Sequence, residues 1–339
     1  MIRRLQVLHY RAFKYIDIEL SRFHILVGPN ASGKSSFLDV FNLIKDVLSE
    51  SPRAAVEKRA SHFGELLWDQ KGDRFEIAVE LEIPDDVREK LKDKDFSLAR
   101  YEMSIQLDDR EGVIIGGENL WLIKGASAAS PDYPAKDEVV QTTLFMEPEE
   151  PSYTVSHRKR TPSGWRKAVS KSARGNDYFK SETTDWNIIY KFGPLKASLA
   201  RIPEDEGHFP ASLWAKNALM EGIQLLQLNS SAMRWSCKPG SPVAFQPDGS
   251  NLPKVIQYLE KEQPDFFARW MKHIQTTISE IEEVQVKERP EDRSLYLNVR
   301  HKNGLELPSW LVSDGVLRLL ALTIVAYLPE KDRIYMIEE

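Results

Sequence analysis

The stretch VGPNASGKSS, residues 27–36, decides how this chain is read. It stands between the apolar run FHILV at 23–27 and a segment in which Phe37, Phe41, Ile44 and Leu48 recur at helical spacing. Gly28, Pro29, Asn30, Ala31, Ser32, Gly33, Lys34 and Ser35 satisfy G-x-x-x-x-G-K-[ST] at every position. In such a loop, consecutive backbone N–H groups turn inward toward a polyanion, and the glycines allow that path and close approach. The helix start, Ser36 included, adds unladdered N–H groups and the positive end of a dipole. Lys34 then reaches the β- and γ-phosphates, and the Ser35 hydroxyl ligates Mg²⁺. A capped turn without ligand is the plain alternative. Because the pattern arises by accident in roughly one chain in a hundred of this length, the loop is read as binding a nucleoside phosphate.

Bulk properties narrow the class. The chain has 339 residues, 42% hydrophobic and 29% charged, enough for a sizeable core in one large domain or two modest ones. A net charge of −5 gives no general attraction to nucleic acid or acidic membranes, so such binding needs a local patch. With Cys237 the only cysteine, an intrachain disulfide or a cysteine-based metal site is excluded. The start MIRRLQVLHYRAF has too short an apolar core for a signal peptide, and the longest apolar run, 316–328, is interrupted by Arg318. A cytoplasmic protein without membrane association is expected.

Strands are expected at 2–8, 15–20 and 23–27, with His24 a core histidine, then a helix to about residue 49. Further strands are expected at 74–83, 101–107 and 119–123. An acidic piece, KDEVVQTTLFMEPEEP, precedes SYTVSHRKRTPSGWRKAVSKSARG, which carries no acid. Thr161-Pro162-Ser163-Gly164 at its centre reads as the turn of a basic β-hairpin. Its cations at 157–174, with Trp165 among them, suit DNA or RNA, or equally a protein partner. Helices follow at 211–222, 253–262 (Asn251 placed as cap, Pro253 in the first turn) and 264–281. Residues 295–307 read as a hairpin around Asn303-Gly304. No internal repeat and no sustained heptad pattern occurs.

Two distant segments bear on the phosphate loop. WLVSDGVLRLLAL, 310–322, places Ser313, Asp314 and Gly315 at the start of a helix running to about 328. Alone, Ser313 and Asp314 are explained by ordinary helix capping. IYMIEE, 334–339, is an apolar run that suits a central parallel strand covered on both faces, ending in Glu338 and Glu339. In phosphate-loop ATPases an acidic residue after such a strand helps to hold Mg²⁺.

In this order the motifs resemble ABC-class ATPases of the SMC/RecF/OLD-like group. LHYRAFKYIDIEL at 8–20 looks like the group's opening hairpin, with Tyr10-Arg11-Ala12-Phe13 in the diagnostic place, and PDGSNLPKV at 247–255 resembles a recurrent element. The resemblance is strong over 1–50 and 305–339 and thin between. It implies an α/β P-loop NTPase head with a mixed sheet, assembled from lobes 1–84 and 291–339, with an insertion of antiparallel strands and helices at 85–290. It implies ATP and Mg²⁺ as cofactors, Arg11 near the phosphates, Glu338 on the Mg²⁺ side and Glu339 as general base. It also implies that the Ser313 hydroxyl and Gly315 backbone meet the γ-phosphate held by a second subunit, so that two heads sandwich ATP as a homodimer or higher oligomer. Gln70 is assigned to the Mg²⁺-contacting glutamine loop. Glu-Glu departs from the Asp-Glu of transporter ATPases. Because that class continues past its acidic strand, the chain reads as part of a longer polypeptide with feeble hydrolysis of its own. By analogy the output is an effector or DNA-directed activity in anti-phage defence or repair. A P-loop kinase acting on a metabolite or nucleotide, and a non-hydrolysing nucleotide-gated scaffold, are the rivals.

Overall fold

The computed structural model describes residues 1–125, 151–155, 161–329 and 333–338. Two units divide the chain, Met1–Ile223 and Gln224–Glu339. The expected lobes 1–84 and 291–339 fall in different units, and the strands flanking residue 84 are neighbours in one sheet.

Apolar alternation builds the first unit. Strands β1 (Ile2–Tyr10) and β2 (Phe13–Glu19) form the opening hairpin around Arg11-Ala12. Helices α1 (Lys34–Ser49) and α2 (Pro52–Glu57) follow, then β3 (Arg74–Glu82), the one-turn α3 (Asp85–Arg88), β4 (Phe96–Asp108) and β5 (Gly112–Lys124). β6 (Trp165–Ser172), β7 (Asp177–Lys180) and β8 (Asn187–Tyr190) complete an eight-stranded antiparallel sheet in the order β2-β1-β3-β4-β5-β6-β7-β8. Leu5, Val79, Tyr101, Leu120, Val169 and Phe179 lie in one row across it, all buried. Helix α1 buries Phe37, Val40, Phe41, Ile44 and Leu48, the 3.6-residue stripe expected from the sequence, and packs against α2 and α4 (Pro210–Met220).

The opposite face of this sheet is buried too, but polar. Arg100 donates to Glu80 and Glu102 at 2.8 Å each and to the Gln6 Oε1 at 2.7 Å. Asn119 and the Trp121 indole N–H donate to the second Glu102 oxygen at 3.1 and 3.0 Å. Burying these charges is tolerable because each finds several partners. Three further buried carboxylates fasten irregular segments through backbone N–H groups. Glu76 accepts from Thr154 and Val155, Glu118 from Ser198 and Leu199, and Glu182 from Ala211 and Ser212 at the start of α4.

The second unit contains β9 (Ile223–Leu226), α5 (Ser230–Arg234), α6 (Leu252–Glu262), α7 (Pro264–Thr277), the antiparallel trio β10 (Ile281–Glu288), β11 (Leu295–His301) and β12 (Glu306–Pro308), α8 (Asp314–Val325) and β13 (Ile334–Ile337). Its core joins Leu252, Ile256 and Leu259 of α6, Trp270 and Ile274 of α7, Leu297 of β11, and Leu317, Leu320 and Ile324 of α8. Gly304, at φ +83°, makes the predicted hairpin turn.

Several expectations are corrected. Residues 23–27 are not in a strand. Phe23, Ile25 and Val27 are 80%, 67% and 90% exposed, and His24 is exposed rather than in a core. An apolar run becomes a strand only where a neighbour supplies ladder and cover, and the eight-stranded sheet gives this run neither. The second arm of the expected basic hairpin, β6, is flanked instead by β5 and β7, so both its pairing edges are taken. Its described cations are engaged internally. Lys171 pairs with Asp177 at 2.6 Å in full burial, Arg174 with Asp108 at 2.9 Å, and Lys167 lies 4.4 Å over the Trp121 ring. Residues 157–160 lie outside the described residues. Asn251 does hold the N-cap position of α6, as expected, but its side chain does not bond the helix N–H groups; it accepts from the Gln246 N–H and donates to the carbonyls of Pro242 and Ala244. Strand β13 pairs with β9, and only Met336 of its four residues is buried, so it is not covered on both faces.

Candidate functional site

In the first unit the site is the loop 28–33 and the start of α1. A Cβ on Gly28 would lie 2.7 Å from the Ser32 Oγ, which would have to turn aside. Gly33 sits at the α1 N-cap position at φ +92°, and a Cβ on it would lie 2.8 Å from the Phe13 ring and 3.4 Å from the Ala12 Cβ. Gly33 is thus required by geometry, and the opening hairpin is pressed against the loop. Ala31 also adopts a left-handed conformation, φ +66°. The first ladder bond of the helix runs from the Phe37 N–H to the Gly33 carbonyl, 2.8 Å, which puts the N–H groups of Lys34, Ser35 and Ser36 in the unladdered first turn. Lys34 Nζ donates to the carbonyls of Gly28 and Pro29, 2.7 Å each. Its ammonium is therefore held over the loop, beside the turned backbone of Pro29, Asn30 and Ala31. This arrangement fits a polyphosphate. Ser35 offers a hydroxyl oxygen, a hard donor suited to Mg²⁺.

Arg11 lies in the two-residue link of the opening hairpin at φ +48°, its N–H bonded to the Leu66 carbonyl at 2.8 Å. Its guanidinium pairs with Asp39 of α1, Nη1 to Oδ2 2.8 Å. Tyr10 OH donates to the same Asp39 oxygen at 2.6 Å, and Arg59 Nε to the other at 2.8 Å. Burial, followed by the Asp39 charge, pushes the Tyr10 phenol well above its ordinary range. Sequence reasoning found Arg11 but missed Asp39, Tyr10 as its partner, and Arg59, because no spacing rule links residues 10, 39 and 59. Gln70 is in a tight turn at φ +53°, next to Asp69 at φ +52°.

In the second unit Ser313 is the N-cap of α8, its Oγ accepting from the Val316 N–H at 3.4 Å. Gly315 has open space where a Cβ would stand and no positive φ. Nothing in the fold of this unit demands glycine there. Arg234 braces the segment before α8, pairing with Asp314 at 2.5 Å and donating to the Val312 carbonyl at 3.1 Å. Glu338 follows β13; its N–H bonds the Leu226 carbonyl at 3.3 Å, and its carboxylate accepts from Gln227 at 3.3 Å. Glu338, Gln227, Asn229, Ser230, Asp314 and Arg318 line an open cavity of about 500 Å³. The start of α8 and the end of β13 are thus brought to one depression. Gln227 and Arg318 were not legible as site residues, since their role depends on β9 lying beside β13. Glu339 lies outside the described residues. Among the described residues no group of three or more His, Cys, Asp or Glu side chains is arranged to hold a metal, and no helix is long and apolar enough to cross a membrane.

No curated protein matches the chain. Among solved structures, an SMC head bound to the C-terminal winged-helix domain of ScpA is similar at 13% identity, covering 97% of this chain and 77% of that one with a TM-score of 0.40. An SMC head with an extended coiled coil, bound to the C-terminal domain of ScpA from Pyrococcus furiosus, is similar at 14% identity, covering 96% and 78% with a TM-score of 0.34. The family model for an AAA ATPase domain matches residues 1–190, which hold the phosphate loop, the opening hairpin and the eight-stranded sheet. On that match, spanning more than half of its length, the chain belongs to the AAA ATPase domain family.

Proposed function

We propose that this chain is a nucleotide-driven ATPase head: ATP bound by the 28–36 loop bridges two copies, and its hydrolysis separates them. The observation that carries the reading is the loop itself, in which the sterically required Gly33 and the overlying Lys34 ammonium form an anion cradle at the start of α1. Residues 28–36 would hold the phosphates, with Arg11 beside them; Ser35 and Gln70 would be Mg²⁺ ligands, and Glu338 keeps the Mg²⁺-side role that the resemblance implies. Bound Mg²⁺ neutralises charge on the β- and γ-oxygens. Glu339 would take the proton of the attacking water.

The second copy would contribute the Ser313 hydroxyl and the Gly315 backbone. An unforced glycine in the exposed first turn of α8 supports this assignment, because helix propensity alone favours almost any other residue there. A partner or effector protein, and a DNA- or RNA-directed output in defence or repair, belong to the same proposal. The internal pairing of β6 cations leaves residues 157–160 as the main part of the basic stretch for nucleic acid.

The test is MgATP binding and hydrolysis by the chain and by Lys34→Ala. Losing a charge-assisted bond to phosphate should weaken binding roughly 10- to 100-fold. Unaltered binding in the variant, or phosphoryl transfer to a metabolite without phosphate release, would overturn the reading.

A further inference from the structure

Asp39 holds more cationic partners than one carboxylate needs. It accepts from Arg59 through Oδ1 at 2.8 Å, and from both Arg11 and Tyr10 through Oδ2 at 2.8 and 2.6 Å. The two arginines are not equivalent. Arg59 is nearly buried, its side chain 7% exposed, and is fixed further by Asp46 at 2.7 Å and by the Ala55 carbonyl at 2.7 Å. Arg11 is 28% exposed, and its ion pair among the described residues is the one to Asp39. Arg59 neutralises Asp39 whether or not Arg11 stays. Arg11 is therefore the exchangeable partner, and its departure leaves no uncompensated charge.

Geometry says where it would go. Ala12 and Phe13, the residues next to Arg11, touch Gly33 of the phosphate loop. Asp39 is five residues beyond Lys34 on α1, about 7.5 Å along the axis from the loop. The Arg11 backbone is held in a left-handed conformation and tied to Leu66, so its side chain pivots from a fixed point. Left-handed backbone at a non-glycine residue persists where the surroundings impose it, and it concentrates at functional positions.

We propose that Asp39 is a positioning residue for Arg11. It retains the guanidinium on the helix of the phosphate loop and yields it to an entering polyphosphate, while Arg59 and Tyr10 keep Asp39 satisfied. The ion pair competes with the phosphate, so the strength of Asp39's hold on Arg11 sets part of the nucleotide affinity. This inference rests on the ATP-binding reading above.

The experiment is equilibrium titration with MgATP of the full chain and its variants, each checked for folding by thermal melting. Asp39→Asn weakens the hold on Arg11 and should tighten binding roughly two- to five-fold, the range of one partly exposed ion pair. Tyr10→Phe keeps the ring and its packing but removes a competing donor to Oδ2. It strengthens the hold and should weaken binding by roughly two- to five-fold. Both effects should vanish in an Arg11→Ala background. The mild Tyr10→Phe variant keeps the proposal testable if Asp39→Asn does not fold. Shifts of the same sign in the two variants, shifts that persist without Arg11, or wild-type affinity in Arg11→Ala would each overturn it. Loss of binding in Lys34→Ala alongside any of these results would sink this inference alone. Unchanged binding in Lys34→Ala would sink the ATP-binding reading beneath it.

Discussion

At the scale of single residues, the phosphate loop and Gly315 illustrate two different reasons for glycine. Gly33 is fixed by its positive φ and by the Phe13 ring that a Cβ would strike, so its replacement disturbs the loop whatever binds there. Gly315 meets nothing. Gly315→Ala should therefore leave the melting temperature unchanged or raise it, by up to about 1 kcal/mol of helix propensity. The same change should impair ATP-driven association, if a second copy's phosphate approaches that backbone. Thermal melting and sedimentation on one preparation read both effects. Lower stability together with normal association would place Gly315 in the fold rather than in the site. The loop motif was legible because its residues are contiguous and each has a chemical duty. Asp39 and Arg59 were not, because their roles arise only when the hairpin, α1 and the segment after α2 meet.

At the scale of elements, the eight-stranded sheet makes its own predictions. Arg100 sits between Glu80 and Glu102, all nearly inaccessible. Replacing it by methionine leaves two buried carboxylates without their cation and should cost roughly 3–5 kcal/mol. Urea unfolding would show this, and a loss below about 1 kcal/mol would mean that the network relaxes or takes up water. Glu182 gives a pH test. Its burial, working against hydrogen bonds from Ser212 and Ala211, pushes its carboxyl up to about 7. A raised folded value favours the protonated form in the fold. Its contribution is fully present below the ordinary value of 4.5 and is lost as pH rises through 7. Glu182→Gln cannot ionise, so from pH 5 to pH 8 the wild type should lose up to about 3 kcal/mol relative to the variant. A pH-independent difference between the two would contradict this.

Strand and helix assignments followed the sequence wherever period and ladder agreed, as in β3, β4, α1 and the β11–β12 hairpin. They failed for residues 23–27 and for the basic stretch. There, composition suggested a strand or hairpin, but pairing elsewhere had already decided the outcome: β6 lies between β5 and β7. Glu76 and Glu102, charged residues within the expected strands at 74–83 and 101–107, are buried. Alternation reveals which residues share a face, not what covers it.

At the scale of the whole molecule, the chain carries two sets of candidate groups, one in each unit. The phosphate loop, Arg11 and Asp39 lie in Met1–Ile223; the α8 start, Gln227 and Glu338 lie in Gln224–Glu339. The sequence order of the loop, the α8 start and the acidic pair suggested a head built from them. In the proposed cycle ATP bridges two such chains, one supplying the loop and the other the α8 start. Sedimentation velocity of Glu339→Gln, which should retain ATP if Glu339 is the proposed general base, is the sharpest test. With saturating MgATP the chain should sediment at twice its 38.9 kDa mass, and it should return to the single mass with MgADP or on adding Ser313→Arg. A species of 38.9 kDa at saturating MgATP, or a dimer indifferent to nucleotide and to Ser313, would contradict the account.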